Sequence, residues 1–500
     1  MKYILAIDQG TTSSRALIFD ATLQIKGKAS QEFPQHFPKP GYVEHDLEDI
    51  WSSVGVSVRQ AMVQAGIRAN EIAAIGITNQ RETTCLWHRD GHSTALCRAI
   101  VWQDRRTAPE CEKLRQRKLG PLVNRTTGLL LDPYFSATKL AWMLKNVPGA
   151  SRLATEGKLA FGTIDSYLLY RMSGEHRTDV TNASRTLLMD LRKCEWSDDM
   201  LKLFKIPRAV LPEILPSATA YGRTKRFLDF PDGIPITGIA GDQQAALFGQ
   251  ACFTKGSAKC TYGTGAFAML NTGNKPVFSK NQMVTTVAWQ LGTKTTYAIE
   301  GSAFIAGAAV QWLRDGLGLV KASPEIESLA RSVPDSGGVV FVPALSGLGA
   351  PHWLSNATGL LTGITRGTTK AHVARATLEG MAFQVAELLS AMAKDYGSKP
   401  AHLKVDGGAS ANDLLMQFQT DLLGIEVIRA EIMETTALGA ALQAGLAVGF
   451  WSDLDDIAKR WRASGAFDPK MKVVDRKAKM DAWERAVSAV RLLSQPPKKK

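Results

Sequence analysis

Residues 3–20 read YILAIDQGTTSSRALIFD, and this stretch decides the fold. Segments 3–7 and 15–20 are largely apolar and have the length of buried strands. Between them lie Asp8 and, at 10–14, a turn of glycine and hydroxyl residues. Backbone N–H groups and hydroxyls in such a turn bind anions, and a neighbouring carboxylate binds a metal ion. The hairpin suits a nucleotide phosphate chain with Mg2+, although an ordinary glycine- and threonine-rich hairpin has the same composition.

Two later segments have the same character. Predicted strands 257–262 and 266–270 flank the sequence GTG at 263–265, which forms a second hairpin of this kind. A strand predicted at 402–405 runs into the sequence DGG at 406–408. Three small-residue turns of one type favour a phosphate-binding function over three unrelated hairpins.

Strands and helices alternate along the chain, which is typical of α/β proteins. Further strands are predicted at 71–78 and 234–240, and helices at 370–396, at 436–448 and from about residue 412. Because 500 residues suffice for two or three domains, we predict an N-terminal domain at 1–247 and a C-terminal domain at 248–495. A disordered basic tail is predicted at 496–500. Each half begins with, or close to, a small-residue hairpin, which indicates a structural duplication.

Charge and cysteine content exclude several classes of protein. The net charge of +13 comes from Lys and Arg residues scattered along the chain, so it favours anionic ligands such as ATP without forming a nucleic-acid-binding motif. The six cysteines show no paired or metal-binding spacing, which predicts free thiols in a reducing compartment. No apolar stretch has the length of a membrane span, and Asp8 interrupts the first apolar run too early for a signal peptide. We therefore expect a cytoplasmic protein that binds neither nucleic acid nor a membrane.

Two aspartates lie at the carboxyl ends of predicted strands, where α/β sheets bind ligands. Asp8 follows the first strand, and Asp242 follows the strand at 234–240. One carboxylate would bind Mg2+ while the other accepts a proton from a hydroxyl group. Asp242 could equally be the N-cap of a helix at 243–248, a role that is compatible with catalysis.

A polar cluster follows the predicted strand at 71–78. Arg81 and Glu82 offer a donor fork beside an acceptor pair, and Trp102 and Tyr134 have polar neighbours. Hydroxyl groups of a small polyol would bond to the charged pair, and its C–H edges would lie against the aromatic rings. The alternative for the charged pair is a surface salt bridge.

Several segments resemble the glycerol-specific branch of the FGGY family of carbohydrate kinases. The similarity extends from about residue 3 to about residue 455 and rests on LAIDQGTTSSR, GITNQRETT, DPYFSATKLAWML, TNASRT, GIAGDQQAALFGQ, YGTGAF, QWLRD, KVDGGASAND and LMQFQTDLLG. The resemblance implies two ribonuclease H-like domains of the actin-type ATPase fold, with the active site in the cleft between them. It implies phosphorylation of glycerol by ATP to sn-glycerol 3-phosphate, with Mg2+ as cofactor.

The resemblance also implies roles for individual residues. Asp242 would be the general base, and Asp8 and Asp242 would lie nearest the metal. The residues around glycerol would be Arg81, Glu82, Trp102, Tyr134, Asp242, Gln243 and Phe267. The residues meeting the ATP phosphates would be Thr11, Thr12, Ser13 and Arg15, and those holding the rest of the nucleotide would be Thr264, Gly307, Gln311, Gly408 and Asn412.

Glycerol and ATP are thus the expected partners, and we expect a homo-oligomer, either a dimer or a tetramer. Another FGGY kinase, acting on a pentulose or a longer polyol, is the alternative of the same class. An actin-like ATPase that acts on a protein partner is the alternative of a different class.

Overall fold

A computed structural model describes residues 2–225, 227–228 and 230–495, so the predicted basic tail at 496–500 lies outside the described residues. Within those ranges, thirteen strands form one mixed sheet. The first half contributes β1 (Tyr3–Gln9), β2 (Ser13–Phe19), β3 (Ile25–Glu32), β4 (Ile72–Asn79), β5 (Ala218–Arg223) and β6 (Pro235–Gly241). The second half contributes β7 (Ala258–Tyr262), β8 (Ala266–Gly273), β9 (Val284–Leu291), β10 (Lys294–Ala303), β11 (His402–Asp406), β12 (Glu426–Ala430) and β13 (Ala463–Phe467).

The two halves of the sheet repeat one strand arrangement. In the first half the order is β3-β2-β1-β4-β6, with the first three strands antiparallel and the last two added in parallel. In the second half, β10-β8-β7-β11-β12 have the same order and the same directions. The predicted duplication is therefore present. Strands β5 and β9 join the two halves through a single registered pair, Ala218 with Leu291.

Helices cover the faces of this sheet, as expected for an α/β fold. In chain order they are α1 (Leu47–Ala65), α2 (Ala108–Gln116), α3 (Gly120–Thr127), α4 (Ser136–Asn146), α5 (Ala150–Thr155), α6 (Ile164–Ser173), α7 (Val180–Ala183), α8 (Asp198–Phe204), α9 (Asp242–Gly249), α10 (Gly307–Asp315), α11 (Glu325–Arg331), α12 (Lys370–Tyr396), α13 (Asp413–Leu423), α14 (Thr435–Ala447), α15 (Leu454–Arg460) and α16 (Val473–Leu493). Short strand pairs lie outside the main sheet, at Glu44–His45 with Ala99–Ile100, Cys85–His88 with Leu159–Gly162, Arg177–Asp179 with Glu213–Leu215, Met189–Asp190 with Glu195–Trp196 and Val340–Val342 with Leu360–Thr362. Across the described ranges, none of the helices combines the length and the apolar character that a membrane crossing requires.

The core is continuous between the two halves at helices α9 and α14. Buried side chains of α9 and α14, among them Leu247 and Leu438, share one apolar cluster with Ile4 and Phe19 of the first half. Helix α14 comes from the second half of the chain, so each half covers part of the other. The predicted domain boundary between residues 247 and 248 falls inside α9 and stays a prediction.

Candidate active site

The first hairpin has the tight turn that its sequence predicts. The backbone N–H of Gly10 donates to the carbonyl of Ser13 at 2.9 Å, which closes the turn between β1 and β2. The indole N–H of Trp102 donates to the hydroxyl of Thr11 at 2.9 Å and so fixes that ring over the turn. Thr12 is exposed, so the turn offers hydroxyl and N–H groups to the space above β1.

Asp8 and Asp242 lie close enough for their carboxylates to interact. Burial is the main cause that raises the pKa of Asp8 to about 6; Arg15 opposes the rise, and Glu434 and Asp242 add to it. Two adjacent carboxylates repel each other unless a cation lies between them. The pair therefore has the chemistry of a partial cation site.

The carboxylates of Asp8 and Asp242 fit Mg2+ only if other groups complete its coordination shell. In residues 2–225, 227–228 and 230–495, no group of three or more His, Cys, Asp or Glu side chains could hold a metal ion. Mg2+ in phosphoryl-transfer sites takes one or two carboxylates and completes its shell with phosphate oxygens and water. Asp8 and Asp242 satisfy that requirement only if a nucleotide supplies the remaining ligands.

Arg81 and Glu82 belong to a buried network of four charges. The guanidinium of Arg81 makes a bidentate pair with Glu300, at 2.6 and 2.8 Å. Arg185 joins the two carboxylates, donating to Glu82 at 2.6 Å and to Glu300 at 3.2 Å. All four side chains are at most 2% exposed. The alternative of a surface salt bridge for Arg81 and Glu82 is therefore wrong, because both charges lie inside the protein.

Asp242 lies where this network reaches the cleft. The Nε of Arg81 is 2.9 Å from Oδ1 of Asp242, whose side chain remains 31% exposed. Helix α9 begins at Asp242, with Gly241 rather than Asp242 as its N-cap. A Cβ on Gly241 would lie 2.6 Å from Cδ of Arg81, so a side chain there would displace the guanidinium. The chain thus needs glycine directly before the acid that the sequence singles out.

Aromatic rings form one wall beside the charged network. Trp102 and Tyr134 meet edge to face, with their centroids 5.5 Å apart, and Arg185 lies 5.7 Å from the centre of the Tyr134 ring. Phe267 is half-buried on β8, in register with Thr261 of β7. Gln243 follows Asp242 in α9, and its amide oxygen accepts a bond from Lys259 of β7.

A separate cavity of about 400 Å³ lies in the second half, beside the second hairpin and the start of α13. Its walls include all five residues that the sequence assigns to the rest of the nucleotide, namely Thr264, Gly307, Gln311, Gly408 and Asn412. Apolar side chains such as Val310, Ile326 and Leu415 form the remaining surface. Its size and its mixture of apolar walls with a few polar groups are those of a small-molecule site.

Sequence reasoning missed three charged members of the site. Glu300 and Arg185 bind Arg81 and Glu82 from segments more than 100 residues away, and Lys259 binds Gln243. Lys259 is the one charged residue of β7, and Glu300 lies in the buried, otherwise uncharged part of β10 after its first residue, Lys294. A charge in a buried strand is a signal that it has a partner. Which residue is that partner depends on the order of the strands in the sheet, and the sequence alone does not predict that order.

Comparison with known families decides the classification. The N-terminal domain of the FGGY family of carbohydrate kinases matches residues 3–249, and the C-terminal domain of that family matches residues 258–448. The chain belongs to the FGGY family of carbohydrate kinases. The predicted family and two-domain fold are thereby confirmed for this FGGY kinase.

Its relatives cover the whole chain. The glycerol kinase of Myxococcus xanthus is 55% identical over 490 residues, which are 97% of this chain and 99% of that protein. The glycerol kinase of Deinococcus radiodurans is 56% identical over 493 residues, 98% of each chain. The crystal structure of Plasmodium falciparum glycerol kinase with ADP superimposes with a TM-score of 0.90 at 36% identity and covers 98% of both chains.

Proposed function

We propose that this FGGY kinase transfers the γ-phosphate of ATP to a terminal hydroxyl of glycerol, forming sn-glycerol 3-phosphate and ADP. The observation that carries the proposal is its identity of 55% over nearly the full length of a glycerol kinase. The geometry agrees with it, because the partly exposed carboxylate of Asp242 lies beside a buried charged network and interacts with Asp8 at the first small-residue turn.

The acceptor site lies beside Asp242. The guanidinium of Arg81 and the carboxylates of Glu82 and Asp242 give donors and acceptors within a few ångströms of one another, which suits a molecule with adjacent hydroxyls. Trp102, Tyr134 and Phe267 provide apolar faces for its C–H groups. Because Glu300 fixes the guanidinium of Arg81, this arrangement is in place before the acceptor binds.

Asp242 is the general base. Its carboxylate takes the proton of the terminal hydroxyl as the oxygen attacks the γ-phosphorus, and the bond to the bridging oxygen of ADP breaks. Arg81, at 2.9 Å, keeps the carboxylate oriented. Positioning and charge stabilisation supply most of the acceleration in such transfers.

The phosphate chain lies between the two hairpins. Thr11, Thr12, Ser13 and Arg15 would hold the transferred phosphate from the first half, and Thr264 would hold the chain from the second. Asp8 and Asp242 would hold Mg2+, which neutralises charge on the phosphate oxygens when it is bound. The base and sugar would occupy the cavity lined by Gly307, Gln311, Gly408 and Asn412.

The test is an assay of ADP release with purified protein and Mg-ATP, run with glycerol, xylulose, erythritol or no acceptor. Glycerol is expected to give the highest kcat/KM by at least about tenfold, since a missing or misplaced hydroxyl leaves buried polar groups unpaired. A higher value with xylulose would identify a pentulose kinase. Equal turnover without an acceptor would identify an ATPase that acts on a protein partner.

A further inference from the structure

Lys259 is a buried lysine that pairs with no carboxylate among the residues that the structure describes. It lies on β7, is 0% exposed, and donates to Oε1 of Gln243 at 2.5 Å and to the hydroxyl of Thr261 at 2.9 Å. Burial lowers the pKa of Lys259, and the charges of Asp406, Cys260, Asp242 and Glu300 oppose that change. Removing an ammonium from water is costly, so a lysine at this place needs a reason.

The chemistry of an ammonium fixes the orientation of the Gln243 amide. An amide group has an acceptor oxygen and a donor NH2, which exchange places when the group turns over. An ammonium group has hydrogen-bond donors only, so it can donate to the amide oxygen but cannot bond to the NH2 group. Lys259 therefore holds the oxygen of Gln243 toward β7, and the NH2 group is the end of the amide that does not bind Lys259.

We propose that Lys259 is a positioning residue that locks Gln243 with its NH2 group toward the acceptor, so that the site presents a fixed donor beside the acceptors Glu82 and Asp242. This inference rests on the proposed function, because it places Gln243 against glycerol. It means that Lys259, a residue of the second half, contributes to acceptor recognition through Gln243, a residue of the first half.

The chain offers a matched control on the next strand. Lys404 of β11 is in register with Lys259, and its Nζ donates to the carbonyl of Gln250 at 2.7 Å. Gln250 is the C-cap of α9, whereas Gln243 lies at the beginning of that helix. Both lysines thus bind the same helix, but only Lys259 binds the end that carries Asp242.

The experiment compares Lys259→Met with Lys404→Met, using KM for glycerol, KM for ATP and thermal unfolding. Losing an oriented hydrogen bond is expected to raise KM for glycerol roughly tenfold in Lys259→Met and to leave KM for ATP within twofold. Lys404→Met is expected to lower Tm with an unchanged KM for glycerol. Equal changes of KM for glycerol in the two variants would overturn the inference.

Three additional variants separate positioning from stability. Gln243→Met should raise KM for glycerol by a similar factor, and Lys259→Met combined with Gln243→Met should raise it no further, because the two residues act through one bond. Fully additive effects would contradict the inference.

Gln243→Glu keeps a partner for Lys259 but removes the NH2 donor, so it tests the inference even if Lys259→Met does not fold. It should keep Tm and lose glycerol affinity, and an unchanged KM would overturn the inference. If wild-type protein does not phosphorylate glycerol at all, the proposed function fails instead.

Discussion

Two kinds of charged residue make up the site. Arg81, Glu82, Arg185 and Glu300 are buried and pair with one another, so their geometry is fixed by the protein. Asp242 is the member that keeps 31% exposure, and it is therefore the one that can exchange a proton with a bound molecule. The four buried residues thus fix the geometry of the site, and Asp242 is the residue proposed to react.

Asp242→Asn should retain the fold and lower kcat by about 10²–10⁴, the range for loss of a general base. The amide is nearly isosteric and its oxygen can keep the contact with Arg81, so KM for glycerol should change little. Steady-state kinetics on protein with an unchanged circular dichroism spectrum tests this. Near-normal turnover would remove Asp242 from the role.

Glu300→Gln should destabilise the protein by about 3–5 kcal/mol at pH 7, because two buried guanidinium groups lose their shared partner. Burial alone would raise the pKa of Glu300, but Arg185 and Arg81 lower it to about 2 from an ordinary value of 4.5. A lowered pKa in the folded state stabilises the protein above pH 4.5, and this contribution disappears as the pH falls from 4.5 toward 2.

Urea unfolding between pH 7 and pH 2.5 measures this effect. The difference between wild type and Glu300→Gln should be constant above pH 5 and shrink below pH 4.5. The control is Glu213→Gln, whose side chain is 60% exposed and pairs with Arg177 at the surface. It should change the free energy of unfolding by less than about 1 kcal/mol at every pH. A constant difference down to pH 2.5 for Glu300→Gln would contradict the assignment.

Two adjacent glycines have different roles where strand β11 ends beside the cavity of about 400 Å³. Gly407 follows β11 with a φ of +84°, and a Cβ there would lie 2.5 Å from the carbonyl oxygen of Tyr262. Gly408 has no atom within 4 Å of the corresponding position and lines the cavity. The fold thus requires glycine at position 407, whereas Gly408 leaves the cavity beside it open.

Gly407→Ala should lower stability by more than about 1 kcal/mol, because it combines an unfavourable φ with a backbone clash. Gly408→Ala should leave Tm nearly unchanged and raise KM for ATP, since its methyl group projects into the space proposed for the nucleotide. Thermal unfolding and KM for ATP, measured on both variants, separate the two roles. Normal ATP affinity in Gly408→Ala would place the nucleotide elsewhere.

The elements that the sequence predicts well are those with strong local signals. The helix at 370–396 has its predicted ends, and both small-residue hairpins are present, because apolar periodicity and turn residues are local properties. The partners of Arg81 were not predictable, because Glu300 reaches it through a strand order that only the folded sheet establishes. The start of helix α9 was predicted one residue late, since Gly241 rather than Asp242 caps it.

At the scale of the whole molecule, the residues proposed to surround the acceptor come from both halves of the chain. Arg81, Trp102 and Tyr134 come from the first half, whereas Glu300, Phe267 and Lys259 come from the second. A site assembled from both halves is complete only while they are together, and this favours exclusion of water during transfer.

Acceptor specificity should reflect this enclosed space. 1,2-Propanediol and 1,3-propanediol should each lose at least about tenfold in kcat/KM relative to glycerol, because one buried polar group loses its partner. Xylulose and ribulose should be poorer still, because we expect the aromatic rings of Trp102 and Phe267 to exclude chains much longer than three carbons. Parallel measurements of kcat/KM at saturating Mg-ATP provide the test, and a diol that equals glycerol would refute the fixed hydroxyl pattern.

Helices α9 and α14 touch at backbone distance. A Cβ on Gly439 would lie 1.8 Å from the carbonyl oxygen of Ala245, and a Cβ on Gly249 would lie 2.0 Å from that of Thr435. Such close packing opposes sliding of one helix along the other, so we expect the two halves to move relative to each other by rotation about this contact. A rotation of a few degrees about this contact would displace the outer strands β3 and β13 by several ångströms. Spin labels on those two strands should therefore report a distance change on ligand binding, while labels beside α9 and α14 should report none.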